Sequence, residues 1–580
     1  MELNIETGRI KAWCGRHVGL LLALFATTVY LLTMDRSASW WDCGEFIATG
    51  WLLQVGHPPG APVHQLLSHL FMLLSFGNPM LVAPMSNALS AVAGGVTVGL
   101  LYRVVVELGA RPWAAATGAL CYLFCDTAWF SAVESEVYSL AMLVCALEMW
   151  LALRWQRTRQ ARLLVLLALL AGLGTGVHLM TLLALPAVAL AVLWKCRMAP
   201  LLRLLPLMLA FFVLGLTPYA IIPIRAAANP PINEGHPSTA EDFGKYLKRE
   251  QYAKAPLYPR MWRDRDSANW EAWTGGRDGL WGNTVYYVQY QLGYMYGRYL
   301  MYNFIGRENM KWHSTVVFIL PFLLGLWGLL GHRRRSRHGF WTVMLLFLFG
   351  GVILNLYLNH PCYEPRERDY AYVLSFFAFA VWIGLGADDL ATAAGGRRWL
   401  RVCVTVAAIA APLAMAAGNW SDHDRHRCHS VHDISLNHLQ SCDRDAVLIT
   451  FGDNDTFPLW YLQQVEGKRA DVSIYNVGLT GFRKTMGIID SNMGHRPVYV
   501  TQYFYDRYGW LYKGRLRCEG FCWRLLPTAE GVDDREPLQR HIQDSVRWTI
   551  GDREYIDRIS ASFLRTWEEN TGQRVRTGNR

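Results

Sequence analysis

The sequence predicts an α-helical polytopic membrane protein followed by a small α/β extracytoplasmic domain, on three observations. Charge-free apolar runs recur at 18–33, 163–194, 204–224 and 402–417, near the 20 residues that cross a bilayer. Only 18% of the 580 residues are charged and 52% are hydrophobic, where a soluble protein carries about 25% charge. The basic residues gather between the runs, as at 154–162, 195–203, 333–337 and 397–401, the positive-inside pattern of cytoplasmic loops. Orientation thus accounts for the net charge of +10, and a nucleic-acid partner is rejected.

Lys11 and Arg16 precede the first span, which places the N-terminus in the cytoplasm and the next stretch outside. No small-x-small cleavage site follows, so the span is not read as a cleaved signal. The stretch 39–60, SWWDCGEFIATGWLLQVGHPPG, sets Asp42 and Glu45 three residues apart, on one face of a helix. Trp40, Trp41, Phe46 and Trp51 surround them, and His57 opens a closing Pro-Pro-Gly turn. Acids among aromatics at a membrane boundary raise a functional hypothesis. The alternative is an interfacial belt with helix-capping acids.

Residues 62–76 predict an interfacial or re-entrant helix and 84–106 an inward span. Residues 113–130 return outward and deliver Glu134 and Glu136, and 137–153 go back in. Because 163–194 lies between two basic clusters, two short spans meeting near His178 are predicted, each about 24 Å long. Residues 204–224 exit to an outer segment too aromatic for disorder, read as a lid. Residues 312–330 enter, 340–358 exit, 373–387 enter and 402–417 exit, about eleven spans in all. The outer loops are 35–83, 225–311 and 359–370. Residues 1–417 form the transmembrane domain and 418–580 the extracytoplasmic one.

Within the latter, strand 446–451, the turn GDNDTFP, a helix and a strand ending at 477 predict a βαβ unit. Its turn, with Asp453, Asn454 and Asp455, lies where α/β sheets bind ligands. The D-x-D suits a metal, and turn chemistry explains it equally. Six of the twelve cysteines fall on the outer side. Cys518/Cys522 and Cys428/Cys442 are the local disulfide candidates, with zinc at the C-x-x-x-C pair as the alternative.

Topology brings Asp42/Glu45, Glu134/Glu136, His178 and the cluster Arg366, Glu367, Arg368 and Asp369 to one face, with Arg225 at the mouth of the lid. A carboxylate at an apolar boundary gains proton affinity and suits a general base acting on a hydroxyl. Arg366, Arg368 and Arg225, with His178, suit a donor phosphate. Base and clamp together imply a lipid-phosphate donor and a hydroxyl acceptor. The bland alternatives are pairing of the arginines with Glu364, Glu367 and Asp369, a satisfied helix contact for His178, and a helix cap for Glu134.

The motifs WWDCGEFIATGWLLQVGHPPGAP, WFSAVESEVYSL, IRAAANPPINE, EPRERDYAYVLSFFAFAVWIGLG and FGDNDTFPLWYLQQVEG together resemble a family of large bacterial membrane proteins. Animal relatives of that family are protein O-mannosyltransferases of the GT-C type. The resemblance, from about residue 15 to 480, implies a GT-C-like bundle with its active site on the extracytoplasmic face. It also implies a polyprenyl-phosphate-linked sugar as donor substrate. The acidic residue that GT-C enzymes carry in the first outer loop, as base or metal ligand, falls on Asp42 or Glu45.

The expectation is therefore an inverting transferase that places a sugar on protein Ser or Thr hydroxyls, with Asp42 as base and Glu45 in support. Membrane lipids, a lipid-linked donor and secreted or envelope proteins are its partners, and a divalent cation is its candidate cofactor. Its expected place is a bacterial inner membrane, with the C-terminal domain periplasmic. Transfer of a whole lipid-linked oligosaccharide is a close variant. A transporter or flippase of a lipid-linked or anionic substrate would show internal repeats and midplane charge. Here the acids and arginines cluster at one face, with Glu148 the main exception. A purely structural assembly component would need no such constellation.

Overall fold

The structure, a computed structural model, describes residues 2–194, 198–252, 255–261, 268–307, 315–362, 366–528, 548–550 and 556–575. Lys195, Arg197 and Glu364 lie outside them. α1 (Glu2–Thr33) and α4 (Pro79–Glu107) pack at backbone distance. A Cβ on Gly95 would sit 2.0 Å from Thr27 Oγ1, and one on Gly99 2.5 Å from the Gly19 carbonyl oxygen. Membranes supply little hydrophobic drive between helices, so such small-residue seams carry the packing. Asn78 starts α4 by accepting the Met80 N–H at 3.1 Å, with Pro79 in the first turn.

Between α1 and α4 lie two short helices, α2 (Cys43–Leu52) and α3 (Pro62–Met72). α5 (Pro112–Leu123), α6 (Asp126–Ala132) and α7 (Val137–Thr158) follow. α8 (Ala161–Thr175) stops at Gly176 and the chain resumes through a 3₁₀ turn, Leu179–Ala184, into α9 (Leu185–Leu193). The interruption near His178 is therefore present. α10 (Met198–Leu216) bares Leu202, Leu205, Leu209 and Val213, whereas the helix Val373–Ala393 is buried over most of its length and forms the centre of the bundle. Among the described residues, six helices are long and apolar enough to cross a membrane, and three shorter apolar helices accompany them. At the ends remote from α2, Arg111 and Arg335 converge on Asp388, and Arg157 lies 2.5 Å from Glu107.

The lid is largely helical: Ala240–Leu247, Ala268–Thr274, Gly279–Tyr286, a π-helical stretch Tyr287–Gly297, and Arg298–Phe304. Arg298, leaving the π-helical stretch, pairs with Glu367 at 2.8 Å. The helix Arg398–His423 runs past residue 417. Beyond it stands a five-stranded sheet in the order β2-β1-β3-β5-β4. β1 (Val447–Thr450) runs parallel to β2 (Ser473–Asn476) and β3 (Val498–Thr501), while β5 (Cys522–Leu525) is antiparallel to β3 and to β4 (Leu516–Glu519). The helix Phe457–Gln464 joins β1 to β2 as the predicted βαβ unit.

The cysteine pairing is corrected. Cys518 stands opposite Trp523 and Cys522 opposite Glu519, so the two thiols face opposite sides of the sheet and enter different cores. Cys428 and Cys442 flank the 11-residue helix Ser430–Gln440, about 16 Å of rise where a disulfide needs Cα atoms within about 7 Å. Neither Cys518 nor Cys522 is in a disulfide.

Candidate active site

The site begins at the entry to α2. Trp40 is anchored on the C-terminal domain, donating Nε1–H to Ser560 Oγ at 2.9 Å and stacking on Phe563 at 5.1 Å. Trp41 takes a left-handed backbone, φ 63°, and its N–H donates to Asn454 Oδ1 at 2.8 Å. Asp42 is the N-cap residue of α2, but its side chain makes no capping bond. One turn on, Glu45 is fully buried. Its Oε1 accepts the His57 N–H at 2.5 Å and its Oε2 lies 2.6 Å from His57 Nδ1. Burial alone would lower the His57 pKa. The charge and hydrogen bond of Glu45, then Asp42 and Glu234, outweigh it and hold the imidazole well above its ordinary value. Glu45 and His57 are thus an ion pair, while Asp42 keeps its carboxylate clear of the helix N–H groups.

A second acidic pair closes in from the start of α7. Burial raises Glu134 to about 7 against the opposing charges of Arg425 and Arg366, and Arg425 Nη1 lies 3.9 Å from Glu134 Oε2. Burial, then the charge of Asp42, pushes Glu136 well up despite Arg366, whose Nη2 lies 3.9 Å from Glu136 Oε1. The Arg366 guanidinium is held between the rings of Trp41 (4.8 Å) and Tyr370 (4.1 Å), contacts a planar cation makes well. Tyr138 packs on Tyr370 at 4.7 Å and on His178 at 5.7 Å. The His178 Nδ1 accepts the Met180 N–H at 3.2 Å, so the ring caps the 3₁₀ turn and stands near the site.

The other candidates are placed differently. Arg225 donates to the carbonyls of Leu53 (2.5 Å) and Leu52 (3.1 Å), at the far end of α2 from Asp42, about 15 Å by helical rise. Arg368 donates Nη1–H to Tyr370 Oη at 2.6 Å and its backbone N–H to Tyr299 Oη at 3.0 Å. Glu367 is taken by Arg298, and Asp369 by Thr127 at 2.6 Å, rather than by Arg366 or Arg368. In the β1 loop, Asp455 accepts from Gly452 N–H (2.7 Å), Phe451 N–H (3.1 Å) and Thr501 Oγ1 (2.5 Å). Burial raises it to about 6 against those bonds. It is the turn's own keystone, as turn chemistry accounts for it. Asp453 is raised to about 6 by burial and then by the charges of Asp42 and Glu45, so this carboxyl does join the α2 acids.

Among the described residues, two groups have metal-ligating atoms within 4.8 Å of one another: Asp42, Glu45 and His57, and Cys43, Glu134 and Glu136. Two carboxylates with an imidazole suit a divalent cation such as zinc or manganese. The sequence reasoning missed Glu234, Arg425, Tyr138 and Tyr370. Glu234, buried and raised by burial and then by Glu45, ends the motif IRAAANPPINE, which was the available signal. Arg425, in a run of mixed charge after the last apolar helix, offered none.

Residues 42–201 match the family model described as protein O-mannosyl-transferase TMEM260 N-terminal domain, and residues 431–483 match TMEM260-associated domain 2. Protein O-mannosyl-transferase tmem260 of Dictyostelium discoideum is 22% identical over 554 residues, covering 83% of this chain and 63% of that protein. Its Mus musculus counterpart is 25% identical over 483 residues, covering 78% and 62%. The chain thus spans under two thirds of the length of these relatives. Among solved structures, ArnT from Cupriavidus metallidurans in the apo state matches with a TM-score of 0.53 at 11% identity, over 91% of this chain and 99% of that one. The same enzyme bound to undecaprenyl phosphate matches at 0.52 and 12%, over 89% and 98%. Residues 42–201 and 431–483 thus resemble two TMEM260-family domains, and the chain shares its fold with ArnT.

Proposed function

We propose that the chain transfers a sugar, mannose by the names of its relatives, from a polyprenyl-phosphate donor to Ser or Thr hydroxyls of proteins on the extracytoplasmic face. The observation that carries this reading is the adjacency of base and clamp. Asp42 offers a carboxylate that no helix cap consumes, and the ring of its neighbour Trp41 holds Arg366. The acceptor oxygen attacks the anomeric carbon and its proton passes to Asp42. The bond from that carbon to the phosphate oxygen breaks, and the phosphate leaves with the electron pair toward Arg366, with Arg368 two residues along the same segment. Glu45 and His57 keep α2 in register. A divalent ion held by Asp42, Glu45 and His57 would displace the imidazole proton and supply positive charge at the α2 acids. ArnT, by its crystal complex, binds undecaprenyl phosphate, which supports the donor class.

Supporting the proposed topology, the Arg111–Asp388–Arg335 and Glu107–Arg157 clusters sit at one end of the bundle and the acid cluster at the other. We read this as about eleven spans, cytoplasmic N-terminus, residues 1–417 as the membrane domain and 418–580 outside. Glycoproteomics of the host tests the function, with wild type, deletion, and Asp42→Asn and Glu45→Gln complementation. Glycopeptides that vanish on deletion and return with wild type but not with Asp42→Asn support the reading. A glycoproteome unchanged throughout defeats it.

A further inference from the structure

We infer that Asn454 is a positioning residue for Asp42, so that the β1 loop of the C-terminal domain belongs to the catalytic apparatus rather than to a separate ligand site. The inference rests on the reading of Asp42 as the base. Asp42 follows Trp41, whose left-handed backbone is a conformation a bulky residue seldom adopts unaided. That backbone is met by one partner, the Asn454 side-chain oxygen at 2.8 Å, itself largely buried. The same residue, Trp41, carries Arg366 on its ring. One hydrogen bond therefore sets the direction of the proposed base and supports the proposed phosphate clamp.

Asn454 is rigidly mounted. Asp455 ties the loop to the Phe451 and Gly452 amides and to Thr501 on β3, and the Asp453 carbonyl accepts the Phe457 N–H at 2.8 Å to start the next helix. A neutral amide suits this place, because Asp453 already shares the field of Asp42 and Glu45. A carboxylate at 454 would accept the same bond but add a further negative charge.

The test uses the full chain in nanodiscs, with polyprenyl-phosphate mannose and a Ser/Thr-rich peptide. Asn454→Ala should lower kcat at least about tenfold while donor KM stays within about threefold. Asn454→Asp should restore most of that rate at alkaline pH, with the acidic limb of its pH profile moved upward by the added charge. Wild-type kcat in Asn454→Ala, or equal loss in both variants at every pH, overturns the inference. Amide hydrogen exchange decides it independently of turnover. Asn454→Ala should speed exchange of the peptide containing Trp41 by about fivefold with β1 unchanged, and unaltered exchange overturns it. Inactivity of wild type toward this donor would refute the proposed function, and exchange alone would then judge Asn454.

Discussion

Gly44→Ala is a direct perturbation of the contact between α2 and the C-terminal domain. A Cβ at Gly44 would lie 2.4 Å from the Phe457 carbonyl oxygen and 2.9 Å from Pro458 N, where ordinary contact begins at 3.4 Å. Both obstacles are backbone, so α2 and the β1 loop must part by about 1 Å rather than turn a side chain aside. A shift of that size in a catalytic group costs on the order of 10²-fold in rate, and overpacking of this kind costs about 1–3 kcal/mol of stability. Gly44→Ala should therefore assemble in membranes at a reduced thermal midpoint and transfer sugar about a hundredfold more slowly. Gly487→Ala, with nothing within 4 Å of its new methyl, is the control and should leave both unchanged. Donor turnover per folded molecule, quantified after size exclusion, is the assay. A Gly44→Ala protein within twofold of wild type would refute the argument that α2 and the C-terminal domain hold the base together.

Further outcomes follow from other contacts. Arg366→Lys keeps the charge but loses the planar stacking on Trp41 and Tyr370, and should cut kcat/KM for donor at least about tenfold. An unchanged value would remove Arg366 from the clamp. Glu134, raised from its ordinary 4.5 to about 7, binds its proton more tightly folded than unfolded. It favours the folded state fully below pH 4.5, and that contribution is lost as pH rises through about 7. The thermal midpoint of wild type should fall across that window and that of Glu134→Gln should fall less; parallel curves would contradict the burial argument. Non-reducing peptide mapping should recover no Cys518–Cys522 link, and finding one would contradict the strand register. Reporters fused after Arg159 and after Arg335 should both read as cytoplasmic, and an extracytoplasmic signal at either would break the proposed topology.

Much of the organisation is local and so could be read along the chain. The apolar runs, the interruption near His178 and the βαβ unit each follow from period, length and punctuation within about 30 residues. The gathering of Asp42, Glu45, Glu136 and Arg366 also followed, because alternating spans assign outer segments to one face. What escaped were matters of direction. Spacing could not show that Arg225 would turn toward the carbonyls ending α2. It also could not show that Asp455 would fold back on its own turn while Asp453 faces α2. The cysteine error has the same root. In a tight hairpin at Gly520 and Phe521, residues 518 and 522 are diagonal neighbours, and diagonal neighbours one step out of register point to opposite faces.

The π-helical stretch Tyr287–Gly297 has a consequence for how the lid can vary. Each of its turns takes in about one residue more than an α-helical turn, so it works as a phase shifter along the helix axis. Every side chain after it has its compass bearing set by those extra residues, and Arg298 reaches Glu367 on that bearing. A single-residue deletion that left the remaining turns π-helical would swing everything downstream by about 80°. The lid would still be helical, yet its latch to the 366–372 segment would point elsewhere. Length in this stretch is therefore under tighter constraint than composition, and lids of this type should differ by substitutions there far more readily than by insertions or deletions.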